Sequence, residues 1–344
     1  MDTPSSSPAR SRTGPLRRTA LTALAWHRPL TVTAVLCLVL LAVAAVGLAL
    51  DDRVVHGDPV WLKPAKFAVS IGVYNVTLAW LLSLLTRWRR TGWWLGTVVA
   101  AVLAGELVAI VLQAVRGEPS HFNYATPFDS AVYNAMAAMV VIVWVANLAI
   151  GVLLLVQRLD DRSTTWAIRT GVAIGLVGMG LAYLMTSPTA EQMTTMREGG
   201  VAEVIGAHTV GYADGGPGLP LVGWSTVAGD LRVPHFVGLH GLQVMVLLAL
   251  ALTAWRGRYP RLASDALRLR AVAVVGASYT ALVALTTWQA LRGQSVVRPD
   301  ALTLAVAGAL VAVTLFGLWW ALRRREGERG ERGASVPERE SGRL

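Results

Sequence analysis

The sequence predicts an all-α fold, a polytopic bundle of about eight transmembrane helices with both termini in the cytoplasm. Three observations carry this reading. Hydrophobic residues make up 54% of the 344-residue chain and charged residues only 15%, whereas soluble domains are nearer one quarter charged. Several apolar runs reach the roughly 18–25 residues that cross a bilayer as a helix. Basic residues concentrate in alternate connections, which is the positive-inside pattern.

The N-terminal stretch "MDTPSSSPARSRTGPLRR" is polar, rich in Pro and Ser, and basic. Residues 1–28 therefore read as a disordered cytoplasmic tail. The apolar run that follows is too long for a signal-peptide core and reads as a retained first span. Spans are expected at about 29–50, 62–85, 93–115, 130–156, 167–187, 235–255, 269–291 and 301–322, which makes residues 29–322 one bundle. Residues 323–344 mix both charge signs without apolar periodicity and read as a second disordered cytoplasmic tail. The one long connection, residues 188–234 on the external side, is rich in Gly and Pro and has no span of its own. A structureless loop of that length is usually functional or partly disordered.

With the N-terminus inside, 23 of the 31 basic residues fall in cytoplasmic segments and 8 on the external side. The net charge of +10 thus encodes orientation. A nucleic-acid partner would need a basic patch, and an alternation along the chain is not one. Cys37 is the only cysteine, so no internal disulfide forms. Leu36 stands before it where lipoprotein cleavage needs a small residue. Gly171 and Gly175, four residues apart, predict close helix packing in the fifth span.

Polar residues gather at the external end. Both lysines of the chain sit in "WLKPAKF", and the other 29 basic residues are arginine. Lys63, Lys66, Ser70 and Tyr74 recur at helical steps and share one face of the second span. Two readings stand for the lysines: snorkelling to the interface, or holding an anionic group with compact, titratable charges. On the third span, Glu106, Gln113 and Arg116 lie near one face. Glu106 is deep in the hydrocarbon region, where a carboxylate faces a cavity or a partner. A structural pairing with Lys63, Lys66 or Gln243 is its plain alternative. At about 1.5 Å rise per residue, Lys66 lies about 6 Å in, His240 about 7 Å, Gln243 about 12 Å and Glu106 about 13 Å. Overlapping depths on several spans predict a shared outward-facing pocket.

Five of the six histidines, His56, His121, His208, His235 and His240, fall on the external side, with His27 inside. His235 and His240 are about 140° apart on a regular helix, so both aim at one ion only if Pro234 makes the helix start irregular. His121 with His240 is the better metal pair, and His235 joins them as a third candidate. Hydrogen-bonded packing is the alternative for each ring. Asp129 and Asp300 precede helical runs and read as N-caps. Asp230 and Arg232 read as a local ion pair beside His235. Met185, Met193 and Met196 offer thioethers on the external side, a weak copper(I) signal.

No P-loop, GxGxxG, HExxH or CxxC motif occurs, nor a GxSxG elbow. The stretches "WLKPAKF", "SHFNYATPFD" and "GDLRVPHFVGLHGLQ", set in an eight-span layout, resemble a group of multi-pass bacterial membrane proteins with no established activity. The resemblance spans most of residues 55–290. It implies fold class and membrane location, the bacterial plasma membrane, and it assigns no catalytic residue.

Three functional readings follow. The first is haem or a transition metal held by His121, His240 and His235 for redox chemistry, with Lys66 and Glu106 moving protons or meeting a quinone-like or anionic substrate. The second is a permease or lipid-handling protein for a small anionic solute, with Lys63 and Lys66 as its binding charges. Tyr74, Gln113, Arg116, Arg232 and Gln243 are the further candidate ligand contacts. The third is a non-catalytic scaffold or partner subunit docked through the external loop. The lipid bilayer is the expected partner throughout, and nucleic acid is excluded.

Overall fold

The structure, a computed structural model, describes residues 25–157 and 161–323. Most of the two expected tails lies outside the described residues. Eight helical segments among the described residues are long and apolar enough to cross a membrane, so the chain is a multi-pass helical membrane protein. The spans are α1 (Arg28–Leu50), α2 (Leu62–Ser83), α3 (Arg89–Arg116), α4 (Pro127–Val156) and α5 (Arg162–Leu181). A short helix, α6 (Ala190–Arg197), follows in the long connection, then α7 (Arg232–Leu239) and α8 (Gly241–Ala254), which together make the sixth span. The last two spans are α9 (Asp265–Leu291) and α10 (Ala301–Leu322).

Three spans begin four or five residues earlier than hydropathy suggests, and α4 and α7 begin three residues earlier. α3 starts at Arg89, α5 at Arg162 and α9 at Asp265, each with a polar first turn. Hydropathy marks the stretch that fits hydrocarbon; the helix itself runs on until a cap ends it. Asp161 caps α5 by accepting from Thr164 N, and Ser264 caps α9 by accepting from Leu267 N. Asp300 caps α10 as expected, accepting from Thr303 N. Asp129 does not cap α4. Thr126 takes that place, and Asp129 lies in the first turn, returning a bond from the Thr126 hydroxyl at 2.5 Å.

The fifth and sixth spans pack at backbone distance. A Cβ on Gly171 would lie 3.0 Å from Leu242 Cα, and one on Gly178 would fall inside the Gly238 backbone. Small residues permit such an approach, which drives association where no hydrophobic force acts between helices. The sixth span is interrupted at His240. There Tyr279 Oη, from α9, donates to the Val237 carbonyl at 2.7 Å.

Alternate connections meet at opposite ends of the bundle. At one end Gln157 donates to the Leu84 carbonyl (2.6 Å), and buried Arg268 pairs with Asp161 (2.7 Å) and Asp265 (3.3 Å). At the other end Arg53 donates to the Val115 carbonyl (2.9 Å), Tyr124 N to Glu203 O (2.7 Å) and Ser295 Oγ to Ser225 O (2.7 Å). The long connection is ordered, contrary to a structureless loop. α6 carries a Thr189–Gln192 capping box, and Gln192 also brackets Gly206 through its amide, at 2.9 and 3.0 Å. Strands β1 (Thr209–Val210) and β2 (Gly229–Asp230) then pair antiparallel. Gly206 adopts φ +110°, and a Cβ there would lie 2.6 Å from the Phe122 ring. Hydropathy is blind to this kind of order, which rests on caps and turn hydrogen bonds.

Candidate functional site

Lys63 lies in the first turn of α2, and its ammonium nitrogen is 3.1 Å from Nδ1 of His121. Ser120 Oγ reaches the same ring nitrogen at 3.0 Å. An ammonium only donates, so Nδ1 accepts and Nε2 carries the imidazole proton. Phe67, Phe122 and Tyr133 surround the ring, with centroids at 5.9, 6.1 and 6.2 Å. Burial holds the His121 pKa well below 6.5, and the Lys63 charge and the nearby His208 and His235 push it the same way. His121 is therefore a neutral partner for a half-buried cation.

Lys66, one turn further along α2, points to the long connection. It donates to the Val222 carbonyl at 3.3 Å and lies 3.7 Å from Asp58 Oδ2. Arg232, at the start of α7, donates to the next carbonyl, Gly223 O, at 2.5 Å, and pairs with fully buried Asp230. Asp230 accepts Ser225 N in turn (2.8 Å). Residues 217–225 thus form a lid fastened by two cations from two different spans. Gly223 has φ +69°, and a Cβ there would lie 2.9 Å from Asp58 Oδ2, 3.5 Å from Lys66 Nζ and 3.6 Å from Arg232 Nη1. Only glycine lets these three charges close on the lid at that point.

His208 enters from the lid side. Its Nδ1–H donates to Asp214 Oδ2 at 2.6 Å, and Asp214 also accepts from the His208 and Thr209 amides and the Thr209 hydroxyl. Burial opposes ionisation of Asp214, but the bonds from His208 and Thr209 outweigh it and hold the carboxyl below its usual range. Burial also lowers the His208 pKa, against the pull of Asp214. His235, in α7, has its Nδ1 at 2.7 Å from the Gly178 carbonyl, which assigns the proton to that nitrogen.

Among the described residues several buried polar atoms have no hydrogen-bond partner, both amide atoms of Asn75 among them. Glu106, 4% exposed, has Oε1 unbonded, as are Nε2 of His240 and both amide atoms of Gln243. Gln243 lies close enough to His240 to act on its imidazole.

The remaining candidates lie apart from Lys63. Tyr74 bonds Asn147 of α4 beside a cavity of about 20 Å³ among the spans. Gln113 and Arg116 both bind Asp129, at 2.8 and 2.5 Å, clamping the end of α3 to the start of α4. Among the described residues, no hydrogen bond or ring contact joins His56 to the His121 group. Among the described residues no three His, Cys, Asp or Glu side chains are grouped to hold a metal ion, so the expected set of His121, His240 and His235 gains no support. Sequence reading missed His208, Asp214 and Asp58. The one signal for the first two was a His and an Asp six apart inside a Gly-rich turn, "AHTVGYADGG".

No family model matches the chain, and neither a curated protein nor a solved structure matches it.

Proposed function

We propose that the chain is a multi-pass protein of the bacterial plasma membrane whose outward end binds a small anionic ligand, a carboxylate or a phosphate, at Lys63 beneath the 217–225 lid. The placement outward rests on the 23-to-8 division of basic residues between the two sides. One observation supports the ligand class above the others. Lys63 has an imidazole, not a carboxylate, as its hydrogen-bond partner. A half-buried ammonium with no carboxylate in hydrogen-bond contact is a ready partner for an anion. Lys66 and Arg232 hold the Val222 and Gly223 carbonyls, and an arriving anion competes with those carbonyls, loosening the lid as it binds.

The test is thermal unfolding of the purified protein in lipid nanodiscs against inorganic phosphate, glycerol phosphate, short carboxylates and chloride. A ligand at one hundred times its Kd stabilises by about 2.7 kcal/mol, a shift that Lys63→Met must abolish. Uniform silence across the anions, or a shift that survives Lys63→Met, sinks the reading.

A transition metal on His208 and His235 is the second reading, favoured by their fixed Nδ1–H donors to Asp214 and the Gly178 carbonyl. Such bonds orient metal-ligating imidazoles and leave Nε2 free. The Lys63 ammonium within electrostatic reach of His208 counts against a cation there. Elemental analysis of the purified protein separates the two.

A further inference from the structure

We infer that the tip of the 217–225 lid is seated in lipid at the outer boundary of the bilayer, with Leu221 as its anchor. The inference concerns the outer side of the lid and is independent of the ligand proposed beneath it. Residues 215–228, "GGPGLPLVGWSTVA", carry no charged side chain, although connections that face water are normally polar. The lid is a closed hairpin, in which Leu219 N donates to Trp224 O and Gly223 N to Leu219 O, both at 2.8 Å. At the tip Val222 N donates to Pro220 O at 2.8 Å, closing a three-residue turn on Leu221, whose φ is +67°. That is the strained form of the γ-turn, and a leucine in it is a steric outlier. The turn holds Leu221 away from the protein, 74% exposed. Phe122 also has a positive φ, +61°, but it is buried and its ring packs against Tyr133 and His208, so packing offsets the strain. Among the described residues no core cluster takes in Leu221; burial of its side chain outside the chain supplies what Phe122 gains within it.

Contacts with two spans set the depth of the tip. Lys66 and Arg232, at the beginnings of α2 and α7, hold the carbonyls of Val222 and Gly223, the two residues that follow Leu221. Trp224 packs edge-on against Phe236 of α7, with ring centroids 5.7 Å apart, and Phe236 is an exposed side chain on a spanning helix. Tryptophan gathers at the membrane–water boundary. Trp61 and Trp288 stand at the same ends of α2 and α9, and Trp224 is the third at that end. Trp88, φ +53° and exposed, pairs positive φ with an apolar surface side chain in the same way at the opposite end, just before α3. The lid tip is therefore level with the ends of the spans, where an exposed leucine meets lipid. Exposure alone does not mark such a place. Val201, in the same connection, is 83% exposed, yet it stands between Glu198 and Glu203 and faces water.

Val201 supplies the control for the test. In a Cys37→Ala background, which removes the chain's single cysteine, L221C and V201C each carry a small fluorophore in nanodiscs holding one copy of the chain. Each is quenched by iodide from the water and by a lipid bearing a nitroxide near the top of its acyl chain. Lipid quenching at 221 at least threefold that at 201, with the iodide order reversed, is expected. Iodide quenching at 221 equal to that at 201 overturns the anchor. Protection of 221 from both quenchers also overturns it, since that places the residue against protein. Because L221C loses the leucine itself, the unmutated chain gives the second reading. Nanodiscs doped with a lipid carrying a photoreactive diazirine at the same depth are illuminated, and the labelled peptides are mapped by mass spectrometry. Label on residues 215–228 as well as on α10, most of which is exposed, with residues 190–204 bare, supports the anchor. Label on α10 with residues 215–228 bare overturns it. Neither readout involves an added anion, so failure of the Lys63 site and failure of the anchor are told apart.

Discussion

Lys63 Nζ lies 3.1 Å from Nδ1 of His121, while Arg116 Nη1 lies 2.5 Å from Oδ1 of Asp129. The two cations sit at the same end of adjacent spans, α2 and α3, and their substitutions are expected to move stability in opposite directions. Removing the cation beside a buried carboxylate leaves that carboxylate short of one partner, at a cost of about 1–3 kcal/mol. Arg116→Met strands Asp129, which is 1% exposed, and lowers the unfolding midpoint accordingly. Lys63→Met instead removes a half-buried charge that has no carboxylate contact, so stability is unchanged or rises. Thermal unfolding of both variants checks the contrast. If Lys63→Met is as damaging as Arg116→Met, Lys63 is structural and the anion reading loses its basis.

Acid should destabilise the Lys63–His121 end of the bundle as its imidazoles take up protons. Burial lowers the pKa of His121 and His208 below 6.5, so the unfolded chain takes up these protons first as pH falls. Their contribution to stability is complete above about pH 6.5 and declines below it, by about 1.4 kcal/mol per pH unit for each imidazole until its folded pKa is reached. Asp214 adds to the loss only lower down, below its unfolded value of 3.8. Unfolding midpoints measured from about pH 7.5 to 5 are expected to fall more steeply for wild type than for His121→Gln. Parallel slopes would show that His121 protonates as freely in the fold as out of it.

The lid has its own expected failure. Asp214 gathers four donors from His208 and Thr209, and net hydrogen bonds to a charged group are worth about 1.5–3 kcal/mol each. Asp214→Ala should release residues 206–231 while the spans stay intact. Hydrogen exchange read by mass spectrometry should then show faster exchange in those residues and unchanged exchange in α9. Loss of protection throughout the bundle would instead mean that the long connection holds the fold together.

Much of this was legible in the sequence, for a physical reason. A bilayer allows only satisfied backbones to cross it, so span number and order follow from hydropathy, and α1, α2 and α10 begin within a residue of expectation. The gathering of polar groups at one end was legible too, since Lys63 and Lys66 lie on one helical face. Which groups touch was not. His208 reached the site through turn geometry around Asp214 and through strand pairing to Asp230, neither of which has a period. Gln113 and Arg116, aligned with Glu106 by spacing, turned instead to Asp129 because a charge on the neighbouring helix start was closer.

Gly178 tests the packing that aims His235. The Gly178 carbonyl accepts from His235 Nδ1, and its Cα meets Gly238 so closely that a Cβ would overlap backbone atoms rather than a movable side chain. Backbone yields less readily than a side-chain tip, so Gly178→Ala forces the fifth and sixth spans apart. Overpacking of this kind costs about 1–3 kcal/mol, and the same displacement draws the carbonyl away from His235. Gly180→Ala is the matched control, because its Cβ would meet only Trp144 Nε1 at 4.0 Å, and it should stay within about 0.5 kcal/mol of wild type. Anion-dependent stabilisation should weaken in Gly178→Ala even at temperatures where the variant is fully folded, and persist in Gly180→Ala. Equal midpoints for the two variants would mean that the spans accommodate a methyl group between them, and that the position of His235 does not depend on their contact.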